Sequence, residues 1–259
     1  MALRHAGVWR DTSSDYELGT RSMPKTLALI GSGRIGGTLA RLALDAGLEV
    51  VLSNSRGPET LSELVAELGA GARAATPEAA AREGDVVAVS IPLKGYEQLS
   101  AAALAGKTVV DAMNYVPDRD GRIDALERGE ITSSELLQRH LADSHVVKAV
   151  NNIDYLRLRS SARPSGAPDR SALPIAGDDT SAKQEVAQLL DLLGFDTMDF
   201  GSLAESWRSH PGTPVWVYPY AQPQPEGLSP QESRRRFLEA PGNPVSVDRL
   251  KELLAAAVR

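Results

Sequence analysis

The chain has 259 residues, 42% of them hydrophobic, which is enough for one large domain or for a nucleotide-binding domain with a modest second one. Its formal net charge of −6 and its pI near 5.3 argue against a nucleic-acid partner. The absence of cysteine excludes disulfides, thiolate metal sites and thiol nucleophiles, and it fits a cytoplasmic protein. Apolar stretches are far shorter than a membrane span, and residues 1–22, which lack a signal-peptide core, are predicted to be a flexible leader.

A strand, a glycine turn and a helix are predicted first. The apolar strand Thr26–Ile30 leads into Gly31-Ser-Gly33-Arg-Ile-Gly36, and apolar residues then recur at helical spacing until Gly47 ends the helix. In such a turn the glycines permit the tight bend, the approach of a pyrophosphate and close packing of the helix. The helix N-terminus, with its free N–H groups and dipole, favours the anion. The pattern predicts a dinucleotide site; the alternative is a βαβ unit that binds nothing.

The second strand, Glu49–Asn54, ends without an acidic residue. NAD enzymes usually place Asp or Glu there to hold the ribose 2′-hydroxyl, and a carboxylate would repel a 2′-phosphate. Here Asn54 is followed by Ser55, which can donate a hydroxyl hydrogen bond, and by Arg56, which can donate a charged fork. The strand end predicts NADP rather than NAD; the alternative is a solvated arginine in a turn.

Strands and helices continue to alternate, which predicts an α/β fold with a doubly wound, parallel Rossmann-type sheet and a small C-terminal extension. Further strands are predicted at Ala72–Thr76, Asp85–Ile91, Lys107–Asn114, His145–Asn152, Leu173–Ala176 and Phe195–Phe200. Further helices are predicted at 58–68, Pro77–Glu83, Gly95–Leu104, from the capping box Thr132–Glu135 to His140, and at Ser181–Leu193, Pro230–Glu239 and Val245–Val258. The predicted division is a leader (1–22), a nucleotide-binding domain with additional strands (23–209) and a Pro-rich tail with two helices (210–259).

Six segments carry a family resemblance: GSGRIGGTLARLALDAGLEVVLSNSRGPETL, DVVAVSIP, VVDAMNYVPDRDG, SSELLQRHL, VVKAVNNI and LPIAGDD. They resemble the NADP-binding proteins grouped with deazaflavin (coenzyme F-420)-dependent NADP reductases and, more distantly, the nucleotide domain of membrane ferric reductases of the six-transmembrane epithelial antigen type. The resemblance covers roughly Lys25 to Ser209, and the tail from about Pro211 does not share it. It implies an oxidoreductase that transfers hydride between NADP(H) and a deazaflavin co-substrate, and it implies a homodimer.

The resemblance also assigns cofactor-binding residues. The pyrophosphate would be wrapped by the glycine motif, comprising Gly31, Ser32, Gly33, Arg34, Ile35 and Gly36. Asn54, Ser55 and Arg56 would hold the 2′-phosphate. The ribose and nicotinamide would be lined by Ser90, Ile91 and Pro92 and approached by Asn114. These residues agree with the rule that open α/β sheets bind ligands outside the carboxyl ends of their strands. For Ser90 and Asn114 the alternative is a strand-end turn residue.

Hydride transfer between two stacked cofactors needs little acid–base chemistry from the protein, and no catalytic residue is assigned. A small carbonyl or imine substrate would instead need a proton donor, for which Tyr115, Lys148 and Asn152 are candidates. Lys148 lies in an otherwise apolar strand, so it either points to solvent at a sheet edge or is paired. A third alternative is an NADP-binding sensor without catalysis.

Aromatic residues are scarce but cluster late in the chain, at Trp207, Trp216, Tyr218 and Tyr220. The alternatives are a stacking wall for a flat substrate, a dimer contact, or a small core under a Pro-rich loop. A substrate pocket is predicted from Tyr115, Asn152 and Trp207, and the apolar final helix at Leu250–Val258 is a candidate dimer contact. The four histidines show no paired spacing, so no metal site is expected; His140 and His145 are expected to be structural.

Overall fold

The computed structural model describes residues 24–259, and the predicted leader lies outside the described residues. One sheet of eight strands forms the centre of the fold. The strands are β1 (Thr26–Ile30), β2 (Glu49–Ser53), β3 (Ala72–Ala74), β4 (Val86–Val89), β5 (Thr108–Asp111), β6 (His145–Lys148), β7 (Ala172–Gly177) and β8 (Asp196–Asp199). They lie in the order β3-β2-β1-β4-β5-β6-β7-β8.

The sheet confirms the predicted Rossmann-type architecture. The six strands from β3 to β6 are parallel, and the order reverses between β1 and β4, where a doubly wound sheet places its ligand. The structure departs from a purely parallel sheet at β7, which pairs antiparallel with β6 through Val147 and Gly177, whereas β8 is parallel to β7. A parallel β7 would need a crossover connection after β6, and the chain does not make one here.

Helices cover both faces of the sheet. They are α1 (Arg34–Asp45), α2 (Ser62–Leu68), α3 (Pro77–Glu83), α4 (Ala101–Leu104), α5 (Pro117–Asp120), α6 (Asp124–Glu127), α7 (Ser133–His140), α8 (Tyr155–Ser160), α9 (Thr180–Leu192), α10 (Pro230–Glu239) and α11 (Val247–Ala255). The capping box predicted at Thr132 and Glu135 is present at the start of α7. The single helix predicted at Gly95–Leu104 is instead a 3-10 turn, Leu93–Gln98, followed by α4, because Leu99 is extended and Ser100 caps a new helix.

Alternate strand residues pack into two hydrophobic clusters, one on each face. In β1, Leu27 and Leu29 face one cluster, whereas Ala28 and Ile30 face the other. The first cluster also contains buried apolar residues of the tail, namely Val215, Tyr220, Val245, Leu250, Leu253 and Leu254. The tail is therefore part of the same core as the nucleotide-binding sheet.

The position of helix α11 does not favour its predicted use as a dimer contact. It packs on β7 and β8, where Leu250 is fully buried and Leu254 is 3% exposed. Its apolar face is thus covered within the chain. Among residues 24–259, no helix has the length and apolar composition needed to cross a membrane.

Candidate functional site

The glycine turn after β1 has the geometry that the motif predicts. Gly31 adopts φ +106°, and a Cβ there would lie 2.5 Å from the Ser90 carbonyl oxygen. A Cβ at Gly36 would lie 1.9 Å from the Gly31 oxygen, so this position admits only glycine. A Cβ at Gly33 would meet nothing within 4 Å. Gly33 is therefore not required by the protein's own packing, whereas close approach of a pyrophosphate explains it.

Three hydrogen bonds fix this turn between the ends of β2 and β4. The Gly31 N–H and the Ser32 hydroxyl both donate to the Ser53 carbonyl, at 3.0 and 2.9 Å. The Ser90 hydroxyl donates to the Gly31 carbonyl at 2.9 Å. The side chain of Ser90 thus supports the glycine turn, which agrees with its alternative role as a turn residue, and its predicted contact with the cofactor stays a prediction.

The start of α1 is open to an anion. Gly33 is its N-cap, no side chain caps it, and its first turn contains no acidic residue. The first N–H groups of the helix therefore remain available for a phosphate. The Arg34 guanidinium lies 5.1 Å from the centroid of the Tyr155 ring, so its side chain is engaged with α8. Ile35 is partly buried against the core.

The loop after β2 presents Arg56 through an ordered turn. The Asn54 amide donates to the Thr60 hydroxyl at 2.9 Å, and its oxygen accepts the Arg56 N–H at 2.8 Å. One hydrogen bond at each end of the Asn54 side chain thus folds the loop, and its predicted contact with the 2′-phosphate stays a prediction. The exposed guanidinium of Arg56 makes no ion pair or hydrogen bond with any residue from 24 to 259. Ser55 lies beside it, also exposed.

These elements line one cleft of about 830 Å³, within the usual range for ligand sites. From the predicted set it contains Gly31, Ser32, Gly33, Asn54, Ser55, Arg56, Ser90, Ile91 and Pro92. Residues that sequence reasoning missed are Ile30, Gly57, Thr76, Pro77, Lys94, Gly95, Gln98 and Leu99. Thr76 and Pro77 follow β3, and Lys94 follows β4, so the rule of carboxyl strand ends could have identified them.

Four predicted cofactor-binding residues do not line that cleft: Arg34, Ile35, Gly36 and Asn114. Asn114 is held by the turn after β6. Its amide donates to the Asn151 carbonyl at 2.8 Å, and its oxygen accepts from the Asn151 amide at 3.1 Å. Asn114 is half-buried at the carboxyl end of β5. It therefore occupies the predicted edge of the sheet while being engaged with a neighbour.

Lys148 is paired, which decides between the two alternatives for this residue. Its ammonium is fully buried, donates to the Met113 carbonyl, and lies 3.2 Å from the Asp111 carboxylate. Burial lowers the pKa of Lys148, opposed by the nearby Asp111 charge. Enclosed in this way, Lys148 cannot reach a substrate as a proton donor.

A second cavity, here called the Tyr115–His210 cavity, has a volume of about 470 Å³. It brings the predicted pocket residues Tyr115 and Trp207 together, and its other lining residues are Leu126, Glu127, Arg128, Gly129, Ile131, Thr132, Ser133, His210 and Arg259. The Tyr115 hydroxyl donates to Glu127 at 3.0 Å and accepts from the Ile123 N–H. Desolvation of Tyr115, with Glu127 adding to it, raises its pKa.

His210 contributes a neutral imidazole to this cavity. Its Nε2 lies 3.3 Å from the Ser133 hydroxyl. Burial, reinforced by the charges of Lys148 and Arg259, lowers the pKa of His210 to about 3. The chain thus provides a hydrogen-bonding group here that stays uncharged near pH 7.

The remaining predicted residues lie elsewhere. Asn152, predicted to line the substrate pocket, is fully buried, and its amide donates to the Val215 carbonyl and the Tyr220 hydroxyl. Tyr220 is also fully buried and donates to the Ala172 carbonyl, in agreement with a small core under the Pro-rich loop. Tyr218, by contrast, is 74% exposed.

His140 and His145 make structural contacts, and His5 lies outside the described residues. The His140 Nε2 lies 2.9 Å from the Leu99 carbonyl, and His145 lies 3.6 Å from Asp179. Within residues 24–259 there is no group of three or more His, Asp or Glu arranged to bind a metal ion.

Comparison with known proteins relates this geometry to a family. A family model described as "NADP oxidoreductase coenzyme F420-dependent" matches residues 26–115. Metalloreductase STEAP3 from Rattus norvegicus is 30% identical over 188 residues, which cover 72% of this chain and 36% of that protein. The chain spans less than half of the length of the first curated relatives it matches: 36%, 43% and 41%.

Two solved structures are similar over most of the described fold. A hypothetical protein from Sinorhizobium meliloti has a TM-score of 0.65 and 29% identity, over 74% of this chain and 93% of its own. A proposed F420-dependent NADP-reductase from Arthrobacter sp. FB24 has a TM-score of 0.59 and 25% identity, over 70% and 86% respectively. Both alignments extend well beyond the glycine motif.

Proposed function

We propose that this chain, which over residues 26–115 belongs to the NADP-binding Rossmann family of oxidoreductases, transfers hydride between NADP(H) and a deazaflavin coenzyme. One observation carries the cofactor assignment: a single cleft contains both the open N-terminus of α1 and the guanidinium of Arg56, which is unpaired among residues 24–259. A pyrophosphate suits the first feature and a 2′-phosphate suits the second.

The described residues fit NADP(H) at three places in the cleft. The backbone at Gly33 leaves space for the pyrophosphate, since a Cβ there would contact nothing within 4 Å. Ser55 and Arg56 would hold the 2′-phosphate, while Asn54 keeps their loop folded. Lys94 adds a second cation to the cleft. When bound, NADP(H) supplies or accepts the hydride, and the protein orients it and excludes water.

The Tyr115–His210 cavity is the proposed site of the hydride partner. Its aromatic residues Tyr115 and Trp207 suit a flat ring, and Tyr115 follows Asn114 at the carboxyl end of β5, the edge assigned to the nicotinamide. A deazaflavin fits the chemistry of this chain because its reduction by hydride needs no proton donor from the protein; solvent can supply the proton.

A reductase of a small carbonyl or imine is the competing function. Of its three candidate proton donors, Lys148 and Asn152 are fully buried. Tyr115 remains, although its hydroxyl donates to Glu127. The competing function therefore depends on Tyr115, which makes the two functions separable by one substitution.

The deciding experiment follows NADPH absorbance with oxidised deazaflavin and, separately, with a panel of carbonyl and imine substrates. We expect turnover with deazaflavin, retained by Tyr115→Phe because no proton from Tyr115 is needed. Turnover only with the panel, abolished by Tyr115→Phe, would establish the competing reductase. Tight NADPH binding without turnover in either assay would indicate an NADP-binding sensor.

The proposal includes a homodimer acting in the cytoplasm. The cysteine-free composition supports that compartment. Because α11 is covered within the chain, the dimer would need another surface. Light scattering of the purified full chain measures the oligomeric state directly, and a monomeric mass would remove this part of the proposal.

A further inference from the structure

The turn that follows β6 holds a valine in a backbone conformation that valine rarely adopts. Val150 has φ +61°, in the left-handed region, where a β-branched side chain is strained. The next two residues, Asn151 and Asn152, are 4% and 0% exposed. A strained residue next to two buried amides indicates that the surrounding contacts impose this conformation.

Asn151 joins the edge of β5 to Ser209, the last residue before the tail. Its amide donates both to the Asn114 oxygen, at 3.1 Å, and to the Ser209 carbonyl, at 2.8 Å. Its backbone carbonyl accepts from the Asn114 amide at 2.8 Å, and its side-chain oxygen accepts from the Ser209 hydroxyl at 3.3 Å. Both polar ends of the Asn114 side chain are therefore fixed by Asn151 alone.

Asn152 makes a separate set of contacts with the Pro-rich segment. Its amide donates to the Val215 carbonyl, and its own carbonyl accepts the Val217 N–H at 2.7 Å. Val217 has φ +58°, a second left-handed valine. The two adjacent asparagines thus fasten two different segments to the end of β6, since Asn151 holds Ser209 and Asn152 holds the tail at Val215 and Val217.

We propose that Asn151 is a positioning residue, which fixes the Asn114 side chain at the sheet edge where the nicotinamide would lie and makes that position depend on the docking of Ser209. The inference rests on the proposed function, because it places the nicotinamide at Asn114. The Tyr115–His210 cavity is lined by Trp207 and His210, on either side of Ser209, so a ligand there would meet a nicotinamide edge that is already ordered.

The first test uses Asn151→Asp in the full chain, which keeps the shape and removes the amide donor. Bound NADPH is followed by its nicotinamide fluorescence lifetime, and 2′,5′-ADP, which lacks the nicotinamide, is titrated separately. We expect unchanged 2′,5′-ADP affinity, a shortened nicotinamide lifetime, and a single-turnover hydride transfer slowed by about tenfold or more through misorientation. An unchanged lifetime in the variant would overturn the proposal, even if deazaflavin proved not to be the substrate.

A matched control separates positioning from tail docking. Asn243 is a tail asparagine whose amide donates to the Pro219 carbonyl at 2.9 Å. Asn243→Asp removes a side-chain amide donor that makes no hydrogen bond with Asn114 or Asn151 among the described residues, and we expect it to leave the nicotinamide lifetime unchanged. Equal effects of Asn243→Asp and Asn151→Asp would reduce Asn151 to a structural residue.

A double-mutant cycle tests whether Asn151 acts through Asn114. Asn114→Ala, Asn151→Ala and the double variant are compared at equal NADPH saturation. If Asn151 acts only through Asn114, the double variant should slow hydride transfer about as much as one single variant. If the loss of rate in the double variant is instead the product of the two single losses, the two residues act independently and the proposal is wrong. Should Asn151→Ala fail to fold, Ser209→Ala, which removes one of the contacts that hold Asn151, takes its place in the cycle.

Discussion

Lys148 of β6 and Asp111 of β5 form an ion pair within the sheet, with 3.2 Å between Nζ and Oδ2. Asp111 also accepts hydrogen bonds from the Ser134 hydroxyl, at 2.7 Å, and from the Met113 N–H, at 3.0 Å. Side-chain exposure is 0% for Lys148 and 1% for Asp111. The pair therefore connects β5, β6 and α7 in the buried interior, next to the carboxyl ends of the strands.

Removing one partner of this pair should destabilise the fold strongly. Lys148→Met leaves the Asp111 charge buried without its counter-ion, a change that costs about 3–5 kcal/mol. Urea unfolding at pH 7.5 measures it. Lys183→Met is the matched control, since its pair with Asp199 lies near the surface and should cost about 1 kcal/mol or less. Similar losses in both variants would show that Asp111 is not left as an uncompensated charge.

His210 should make the stability of the protein depend on pH. Its pKa is about 3 in the folded chain, whereas the unfolded chain has the ordinary value of about 6.5. Between these values the unfolded state binds the extra proton, so stability is fully present above about pH 6.5 and falls as the pH drops towards 3.

The measurement compares urea unfolding of the wild type and His210→Gln at pH 7.5 and pH 5. Because His210 is only partly shielded from solvent, we expect the wild type to lose on the order of 1–2 kcal/mol more than the variant. Parallel stability profiles would mean that His210 is protonated in the folded state as readily as in the unfolded chain.

Local patterns were sufficient to predict residues that the fold brings together in one cleft, because each group of them is contiguous in sequence. The glycine motif, the strand ends and the Arg56 loop each lie within a few residues, so spacing alone predicts them. The pairing of Lys148 was left open because Asp111 lies 37 residues away, and periodicity carries no signal over that distance. The burial of Asn152 depends on contacts with Val215 and Tyr220 of the tail, which no local pattern specifies. The direction of β7 depends on how the chain returns to β6, which strand spacing does not specify either.

Gly33 and Gly36 should respond differently to alanine. A Cβ at Gly36 would lie 1.9 Å from the Gly31 oxygen, so Gly36→Ala must displace the backbone and should cost about 1–3 kcal/mol or more. Gly33 has φ −78°, which alanine tolerates, and nothing lies within 4 Å of its Cβ position. Gly33→Ala should therefore fold with near-normal stability.

The same alanine at Gly33 should nevertheless weaken NADPH, because its methyl group occupies the approach of the pyrophosphate. Thermal unfolding and isothermal titration with NADPH, performed on both variants, separate the two effects. Wild-type NADPH affinity in a folded Gly33→Ala protein would place the pyrophosphate elsewhere.

Arg56 provides the sharpest test of the cofactor. Its guanidinium is unpaired within residues 24–259 and lines the cleft beside Ser55, so Arg56→Ala removes a charge without breaking an internal contact. We expect NADPH to bind about 1–3 kcal/mol more weakly, the scale of a hydrogen bond to a charged group, with NADH nearly unchanged because it has no 2′-phosphate. Arg82→Ala removes an arginine paired on the exposed α3 and should affect neither cofactor. Equal losses of NADPH and NADH in Arg56→Ala would contradict the 2′-phosphate assignment, since a residue that contacts only this phosphate cannot influence a ligand that lacks it.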